Sequence, residues 1–214
     1  MRYRTRHHSS RLTVSALTLG LALTLTAAAC GNDGDSDTTS QVSTTEHNDA
    51  DVAFATDMLQ HHAQALSMVD LTLNRPLDPQ VQQMADDIRE AQAPEIETFT
   101  DWLTDWDEEI PETMRDHSNA GHDMHGDMGD SMAGMDSDMP GMMTADEMNA
   151  LQDAPDAEFQ TMWLEMMIEH HIGAIEMAQI EQEDGQYKPA VDLADDIVKS
   201  QGAEIEKMED LLGS

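Results

Sequence analysis

Apolar residues recur with helical spacing in four long segments of the chain. Positions i, i+4, i+7 and i+11 of the first segment are Met58, His62, Ala65 and Val69, a period that predicts a helix. The second helix carries Val81, Met84, Ile88, Ile96, Phe99, Leu103 and Trp106, and the fourth carries Leu193, Ile197, Ile205, Met208 and Leu212. The third is predicted over about 156–183. Since no alternating run rich in Val and Ile predicts a strand, the predicted fold class is all-α.

Turn and capping residues divide these segments into two hairpins. The helix starts are marked by Asn48 or Asp49, by Asp78–Pro79 and by the capping box Thr144–Glu147, which opens a short helix that Pro155 interrupts. Short turns at 74–78 and 184–189 make the helices that they join antiparallel neighbours. We therefore predict a four-helix bundle domain over 49–214, with hairpins at about 49–106 and 156–212 and a long crossover over 107–143.

The two hairpins share a repeated sequence. LQHHAQALSM at 59–68 corresponds to IEHHIGAIEM at 168–177, and ADDIREAQAPEIE at 85–97 corresponds to ADDIVKSQGAEIE at 194–206. Both correspondences have an offset of 109 residues, so His61 corresponds to His170 and His62 to His171. Internal repetition identifies the structural unit, which here is a pair of helices carrying a His-His sequence.

Polar residues interrupt the apolar stripes at the same places in both repeats. His62 interrupts the apolar stripe of the first helix and His171 that of the third. Gln92 and Glu95 interrupt the stripe of the second helix, and Gln201 and Glu204 interrupt that of the fourth. A buried polar group is unfavourable unless it is hydrogen-bonded or coordinated. Two hypotheses fit this repetition. The residues form a binding site whose ligands the Gln and Glu side chains support, or they form a buried hydrogen-bond network that duplication has copied.

The residues around the histidines favour a soft metal over a di-iron centre. A di-iron bundle supplies Glu-x-x-His pairs, whereas methionine takes the place of that glutamate in Met58-x-x-His61 and Met167-x-x-His170. Thioether is a soft, neutral ligand that suits Cu(I). Because Met58, His61 and His62 stand at i, i+3 and i+4, one helical face can present all three.

The crossover is a second candidate metal-binding element. Its methionines and histidines lie among Gly and Asp, where no helical pattern explains them; they are His122, Met124, His125, Met128, Met132, Met135, Met139, Met142 and Met143. Such a segment is suited to collecting Cu(I) or Ag(I), with His and Asp able to bind Cu(II). The alternative is a low-complexity insert without function.

Charge limits the classes of partner. The chain has 44 acidic and 10 basic side chains, which give a formal net charge of −34. Such a surface repels nucleic acid and anionic lipid and attracts cations. We therefore expect metal ions, and no nucleic acid, among the partners.

The N-terminus has the features of a secretory signal. A basic start precedes the apolar run LTVSALTLGLALTLTAAA, which ends at the only cysteine, Cys30. Ala27-Ala28-Ala29-Cys30 resembles a bacterial lipobox, in which the cysteine is lipidated. We predict a signal peptide over 1–29, a lipidated Cys30 and a flexible tether over 30–48, which would anchor an extracytoplasmic domain to the cell membrane.

The repeated motifs resemble a known family. The paired M-x-x-H-H-x-x-A-x-x-M units, the Q-x-x-E-I blocks and MMTADEMNAL before FQTMWLEMMIEHH are similar to the domain of unknown function 305, over about residues 48–212. The resemblance implies a ferritin-like four-helix bundle, and some members are extracytoplasmic proteins that bind copper or silver through Met and His. By that resemblance the candidate ligands are Met58, His61, His62, Met167, His170 and His171.

These observations lead to one functional hypothesis and two alternatives. The hypothesis is a lipid-anchored protein that binds Cu(I), with Ag(I) as its mimic, for sequestration or metal tolerance, with or without a partner protein for handover. The alternatives are a ferritin-like oxidoreductase and a structural or partner-binding bundle. The sequence contains no Ser-His-Asp set and no Gly-rich phosphate loop.

Overall fold

The computed structural model describes residues 42–115 and 139–213, which form a helical bundle. Its helices are α1 (Asp49–Asp70), α2 (Pro79–Asp105), α3 (Ala145–Asp153), α4 (Asp156–Asp184) and α5 (Lys188–Leu212). Within the described ranges there is no strand, only an isolated bridge between Ser43 and Tyr187. The predicted all-α fold is confirmed. None of these described helices combines the length and apolar character that crossing a membrane requires.

Three helices begin at the capping residues that the sequence predicts. Asn48 forms a capping box with Asp51 at the start of α1, and Thr144 forms one with Glu147 at the start of α3. The side chain of Asp78 caps α2, which has proline at its first position. These local hydrogen bonds satisfy backbone N–H groups that a helix leaves free at its N-terminus, so the start of each of these three helices is specified by its own sequence.

Two helical hairpins pack side by side to form the bundle. α1 packs on α2 and α4 packs on α5, while the hairpins meet through α1 with α4 and α2 with α5. One cluster of buried apolar side chains joins Phe54 of α1 to Ala178 of α4, and a second joins Val69 of α1 to Trp163 of α4. The first half of α1 therefore faces the second half of α4, and the two helices are antiparallel.

Equivalent residues of the two repeats tie each hairpin to the other. The carboxylate of Asp51 accepts hydrogen bonds from the backbone N–H groups of Gln186 and Tyr187 at 3.1 and 2.8 Å. Gln160, offset from Asp51 by the same 109 residues, accepts a hydrogen bond from the backbone N–H of Asp78 at 2.8 Å. Each first helix of a repeat thus holds the start of the second helix of the other repeat.

The two ends of the crossover belong to the core. We predicted a linker over 107–143 in which no helical burial explains the methionines from Met124 to Met143, and for the last three of them that prediction is wrong. Met114 on one side and Met139, Met142 and Met143 on the other are buried. Met114 and Met143 pack in the cluster that contains Trp163. Methionine is a flexible core filler, and stretches this short are too brief to show a hydrophobic period.

A buried carboxyl group lies near the end of α4. Glu181 is 1% exposed. Burial, helped by the neighbouring carboxyl groups of Asp51 and Asp184, raises the pKa of Glu181 to about 9. The carboxyl group is therefore protonated at neutral pH. A Cβ at Gly185 would lie 2.3 Å from Oε1 of Glu181, so the turn after α4 needs glycine to leave room for this side chain.

Candidate metal centre

The histidines of the two repeated His-His sequences form a buried layer across the bundle. His61 and His62 belong to α1, His170 and His171 belong to α4, and all four are 0% exposed. On both helices they lie between the residues of one apolar cluster and those of the other. We call these four residues the histidine layer. It is a polar layer in the middle of an otherwise apolar core.

Each repeat contains the same hydrogen bond between a histidine and a glutamate. Nε2 of His62 lies 2.6 Å from Oε2 of Glu95, and Nε2 of His171 lies 2.8 Å from Oε2 of Glu204. In a neutral imidazole, a proton on Nε2 donates to the carboxylate and leaves the lone pair on Nδ1. A carboxylate that fixes the tautomer of a histidine in this way is typical of metal-binding histidines.

The other two histidines meet each other at the centre of the layer. The ring centroids of His61 and His170 are 3.7 Å apart, with an angle of 38° between the ring planes. Nε2 of His61 donates a hydrogen bond to the carbonyl oxygen of Pro140 at 3.1 Å. His170 has no hydrogen bond of good geometry at either ring nitrogen. The two repeats therefore differ at this pair, although they agree at the histidine–glutamate bonds.

Burial keeps the central histidines neutral. It lowers the pKa of His61 to about 3, with the adjacent His62 acting in the same direction. It also lowers the pKa of His170 well below its usual value, with His61 as the next cause. A neutral imidazole has a lone pair on one ring nitrogen, which is the state that binds a metal. Each of the two central imidazoles therefore keeps one ring nitrogen with a lone pair.

Two glutamines extend the polar layer onto α2 and α5. The side chains of Gln92 and Gln201 are buried, at 2% exposure each. Neither amide atom of Gln92 has a hydrogen-bond partner, and Oε1 of Gln201 has none. Native proteins pair the great majority of buried polar atoms. A closed hydrogen-bond network, the alternative hypothesis from the sequence, does not account for these atoms.

The two candidate thioethers lie on opposite sides of the histidine layer. Met58 precedes His62 by one helical turn, Met167 precedes His171 by one turn, and both methionines are fully buried. Met58 packs in the cluster that contains Phe54, and Met167 packs in the other cluster. Because α1 and α4 run antiparallel, one thioether is available on each side of the layer.

The remaining candidate ligands fall into two groups. His122, Met124, His125, Met128, Met132 and Met135 lie outside the described residues, as does Cys30. Met139, Met142 and Met143 are described and buried. Across 42–115 and 139–213, no three His, Cys, Asp or Glu side chains are grouped so that they could hold a metal ion. A centre in the described bundle would therefore need thioether ligands as well as imidazoles.

The residues that bring the crossover to the histidine layer were not predicted from the sequence. These are Gln64, Pro140, Gly141 and Gly173. The one available signal was Gly173, because a glycine inside a helical pattern is unfavourable and indicates a close approach of backbone. Nothing local marks Gln64 or Pro140, since their partners lie 79 residues away in the chain.

Known structures share this fold. A DUF305 crystal structure from Streptomyces coelicolor, described as a candidate secreted protein, is 32% identical with a TM-score of 0.62, over 77% of this chain and 92% of that one. CopM in its Cu(II)-bound form is 26% identical with a TM-score of 0.56, over 76% and 95% of the two chains. CopM co-crystallised with silver is 25% identical with a TM-score of 0.55, over 75% and 93%.

Sequence comparison identifies the family. No curated protein matches the chain. The family model described as Domain of unknown function (DUF305) matches residues 51–212, a range that contains all five helices except the first two residues of α1. This range also contains both His-His sequences and both histidine–glutamate bonds. The family resemblance noted in the repeated motifs is confirmed, and the chain belongs to the DUF305 family.

Proposed function

We propose that this protein binds Cu(I), or Ag(I) in its place, in the histidine layer, as a sequestering or tolerance protein. The observation that carries the proposal is a set of buried imidazole nitrogens without hydrogen-bond partners, namely Nδ1 of His61, His62 and His171 and both ring nitrogens of His170. Unpaired buried polar atoms are costly. A soft metal ion that binds the lone-pair nitrogens of one or two of these imidazoles together with a thioether would remove part of that cost.

The tautomers indicate which atoms would bind. Glu95 and Glu204 engage Nε2 of His62 and His171, so Nδ1 is the ligand atom on each. The thioethers of Met58 and Met167 would complete a soft donor set. The thioethers favour Cu(I) over Zn²⁺ or Fe²⁺, because those two ions bind imidazole, carboxylate or thiolate in preference to thioether.

Two further features support a copper- or silver-binding role. CopM, which shares this fold, has been solved with Cu(II) and with silver. The net charge of −34 would raise the local concentration of cations at the surface. We propose that the Met/His-rich residues from His122 to Met135 collect the metal and that the histidine layer retains it.

We also propose that the protein acts outside the cytoplasm, attached through a lipid on Cys30. The basis is the basic and apolar leader that ends at the only cysteine. Replacing Cys30→Ser should release the mature protein from the membrane or leave the precursor uncut. A Cys30→Ser protein that is processed and fractionates like the wild type would contradict lipidation.

The metal proposal is tested in a chain whose crossover no longer binds metal. In a variant that we call the serine background, serine replaces His122, Met124, His125, Met128, Met132 and Met135. The double variant carries His62→Ala and His171→Ala in addition. Ag(I) affinity, measured by competition with a chelator, should fall by about 100-fold or more in the double variant. Equal affinity with and without the two histidines would exclude the histidine layer as the site.

The Ag(I) titration and a measurement of oxygen consumption distinguish the two alternative functions. A purely structural bundle would bind no Ag(I) tightly in the serine background, with or without the histidines. An oxidoreductase would consume oxygen catalytically when supplied with excess Cu(I), whereas a sequestering protein would bind a fixed amount and stop.

A further inference from the structure

One pair of equivalent positions in the two repeats has diverged, and both members contact the same segment. Gln64 and Gly173 each follow the second histidine of a His-His sequence by two residues. Both contact Met139–Met143, the last five residues of the crossover, which we call the strap. The duplicated unit therefore presents two different surfaces to a segment that occurs only once in the chain.

Gln64 binds the strap through both atoms of its amide. Its Nε2 donates to the carbonyl oxygen of Met143 at 2.9 Å, and its Oε1 accepts from the N–H of Met143 at 2.7 Å. Gln64 is fully buried. An amide that both donates to and accepts from one residue fixes the position of that residue, and a buried pair of this kind is unfavourable to break.

Gly173 provides the space in which the strap lies against α4. A Cβ at this position would lie 2.0 Å from the carbonyl oxygen of Pro140 and 2.6 Å from the backbone nitrogen of Gly141. Gly141 is equally restricted. It has φ +72°, a left-handed conformation that favours glycine, and a Cβ there would lie 2.9 Å from the carbonyl oxygen of His170. Backbone therefore meets backbone at this crossing, with no room for a side chain.

The seated strap makes the two central histidines chemically different. It places the carbonyl oxygen of Pro140 3.1 Å from Nε2 of His61. A carbonyl oxygen only accepts, so His61 is held with its proton on Nε2 and its lone pair on Nδ1. His170, the equivalent residue, has no such bond, so its tautomer is not fixed by the strap.

We propose that Gln64 and Gly173 are positioning residues of the metal centre. By seating the strap they fix the tautomer of His61, so that Nδ1 is its ligand atom, and they slow the exchange of the bound ion by covering the layer. The inference rests on the proposed metal-binding function, but its first consequence, the fixed tautomer of His61, is a property of the metal-free protein.

The chain offers a matched pair of substitutions. Gly173→Ala and Gly202→Ala both add one methyl group to a helical glycine, but a Cβ at Gly202 meets no atom within 4 Å. Alanine favours the helix at both places, so Gly173→Ala should displace the strap rather than unfold α4. Gln64→Met, which keeps the size of the side chain and removes both hydrogen bonds, tests the same point independently.

Three measurements in the serine background report the position of the strap, the tautomer of His61 and the dissociation rate of Ag(I). Peroxide oxidation of Met142 and Met143, followed by mass spectrometry, reports whether the strap is seated, because buried thioethers are protected. Long-range ¹H–¹⁵N spectra of the metal-free protein report the tautomer of His61. Rapid mixing with a chelator gives the rate at which Ag(I) dissociates.

In the wild type and in Gly202→Ala we expect protected methionines and His61 fixed as the Nε2–H tautomer. In Gly173→Ala and Gln64→Met we expect faster oxidation, averaged tautomers at His61 and Ag(I) dissociation faster by about tenfold. The inference is overturned if the methionines become reactive while the tautomer of His61 stays fixed, or if oxidation is unchanged in both variants. If no variant binds Ag(I), the proposed function fails, and the tautomer still decides whether the strap positions His61.

Discussion

The imidazole rings of His61 and His170 face each other with their centroids 3.7 Å apart, although the two residues come from different repeats and different hairpins. Only one of the two rings is hydrogen-bonded at a nitrogen. Two buried imidazoles this close gain little from each other in a metal-free core. Replacing one of these two histidines should therefore stabilise the metal-free protein while weakening its function.

The first prediction follows from the unpaired nitrogens of His170. His170→Leu should raise the free energy of unfolding of the metal-free protein by about 1–3 kcal/mol, because an apolar side chain replaces a buried polar ring without partners. Added Ag(I) should then stabilise the variant less than it stabilises the wild type. His171→Leu is the control. That change leaves Glu204 without its histidine, so it should not stabilise, and equal effects from both changes would contradict the assignment.

The second prediction concerns Glu95, whose carboxylate fixes the tautomer of His62. Glu95→Gln keeps an acceptor for Nε2 but loses the charge, so metal affinity should fall by about 10–100-fold. Chelator competition with Ag(I) measures this loss in the serine background. Glu97→Gln, an exposed position two residues further along α2, controls for the change in net charge. Equal affinities for Glu95→Gln and Glu97→Gln would show that Glu95 does not support the site.

The third prediction separates the thioethers from core packing. Met58→Leu and Met167→Leu nearly conserve volume, so each should change stability by less than about 1.5 kcal/mol. Affinity for Ag(I) should nevertheless fall, since only the soft ligand atom is lost. Thermal unfolding and silver titration of the same samples decide between the roles. Unchanged affinity in both variants would leave these methionines as packing residues only.

The fourth prediction is a pH dependence that originates at Glu181. Its folded pKa of about 9 lies above the ordinary value of 4.5, so the folded protein binds more protons between these values. The contribution of Glu181 is therefore full below pH 4.5 and is lost as the pH rises towards 9, at no more than about 1.4 kcal/mol per pH unit.

Urea unfolding of the wild type between about pH 7 and 9 measures this loss. Glu181→Gln keeps the size of the side chain but does not titrate, so the stability of this variant should be nearly constant over the range. The two proteins share the neighbouring groups of residue 181, namely Asp51, Asp184 and the start of α5, so a difference in slope between them comes from Glu181. Parallel slopes for the two proteins would place the titration elsewhere.

Much of the fold could be predicted from the sequence because the decisive signals are local or repeated. The capping residues Asn48, Asp78 and Thr144 act within four residues of their partners, and the helical stripes identify the buried faces. The repeated Glu95 and Glu204 linked the second helix of each hairpin to the histidines, either as support for a site or as a hydrogen-bond network. What the sequence could not show is that each glutamate bonds the second histidine of its pair rather than the first.

The strap could not be predicted because it depends on contacts between distant parts of the chain. Met143 pairs with Gln64, and Pro140 meets both His61 and Gly173. Five residues without a period carry no sign of burial, so their methionines were grouped with the rest of the crossover. The raised pKa of Glu181 could not be predicted for the same reason, since Asp51, which helps to raise it, belongs to the other hairpin.

The central claim is that a soft metal ion binds imidazole nitrogens of the histidine layer, and nitrogen-15 spectra of the histidine rings test it most directly. Ag(I) is added to the serine-background protein, and the ring nitrogens are followed in long-range ¹H–¹⁵N spectra. The account predicts that Nδ1 of His62 and His171 shifts on binding, while Nε2 of each keeps the proton shared with Glu95 or Glu204. Binding that leaves every ring nitrogen of the four histidines unshifted would contradict it, as would loss of the Nε2 proton from His62 or His171.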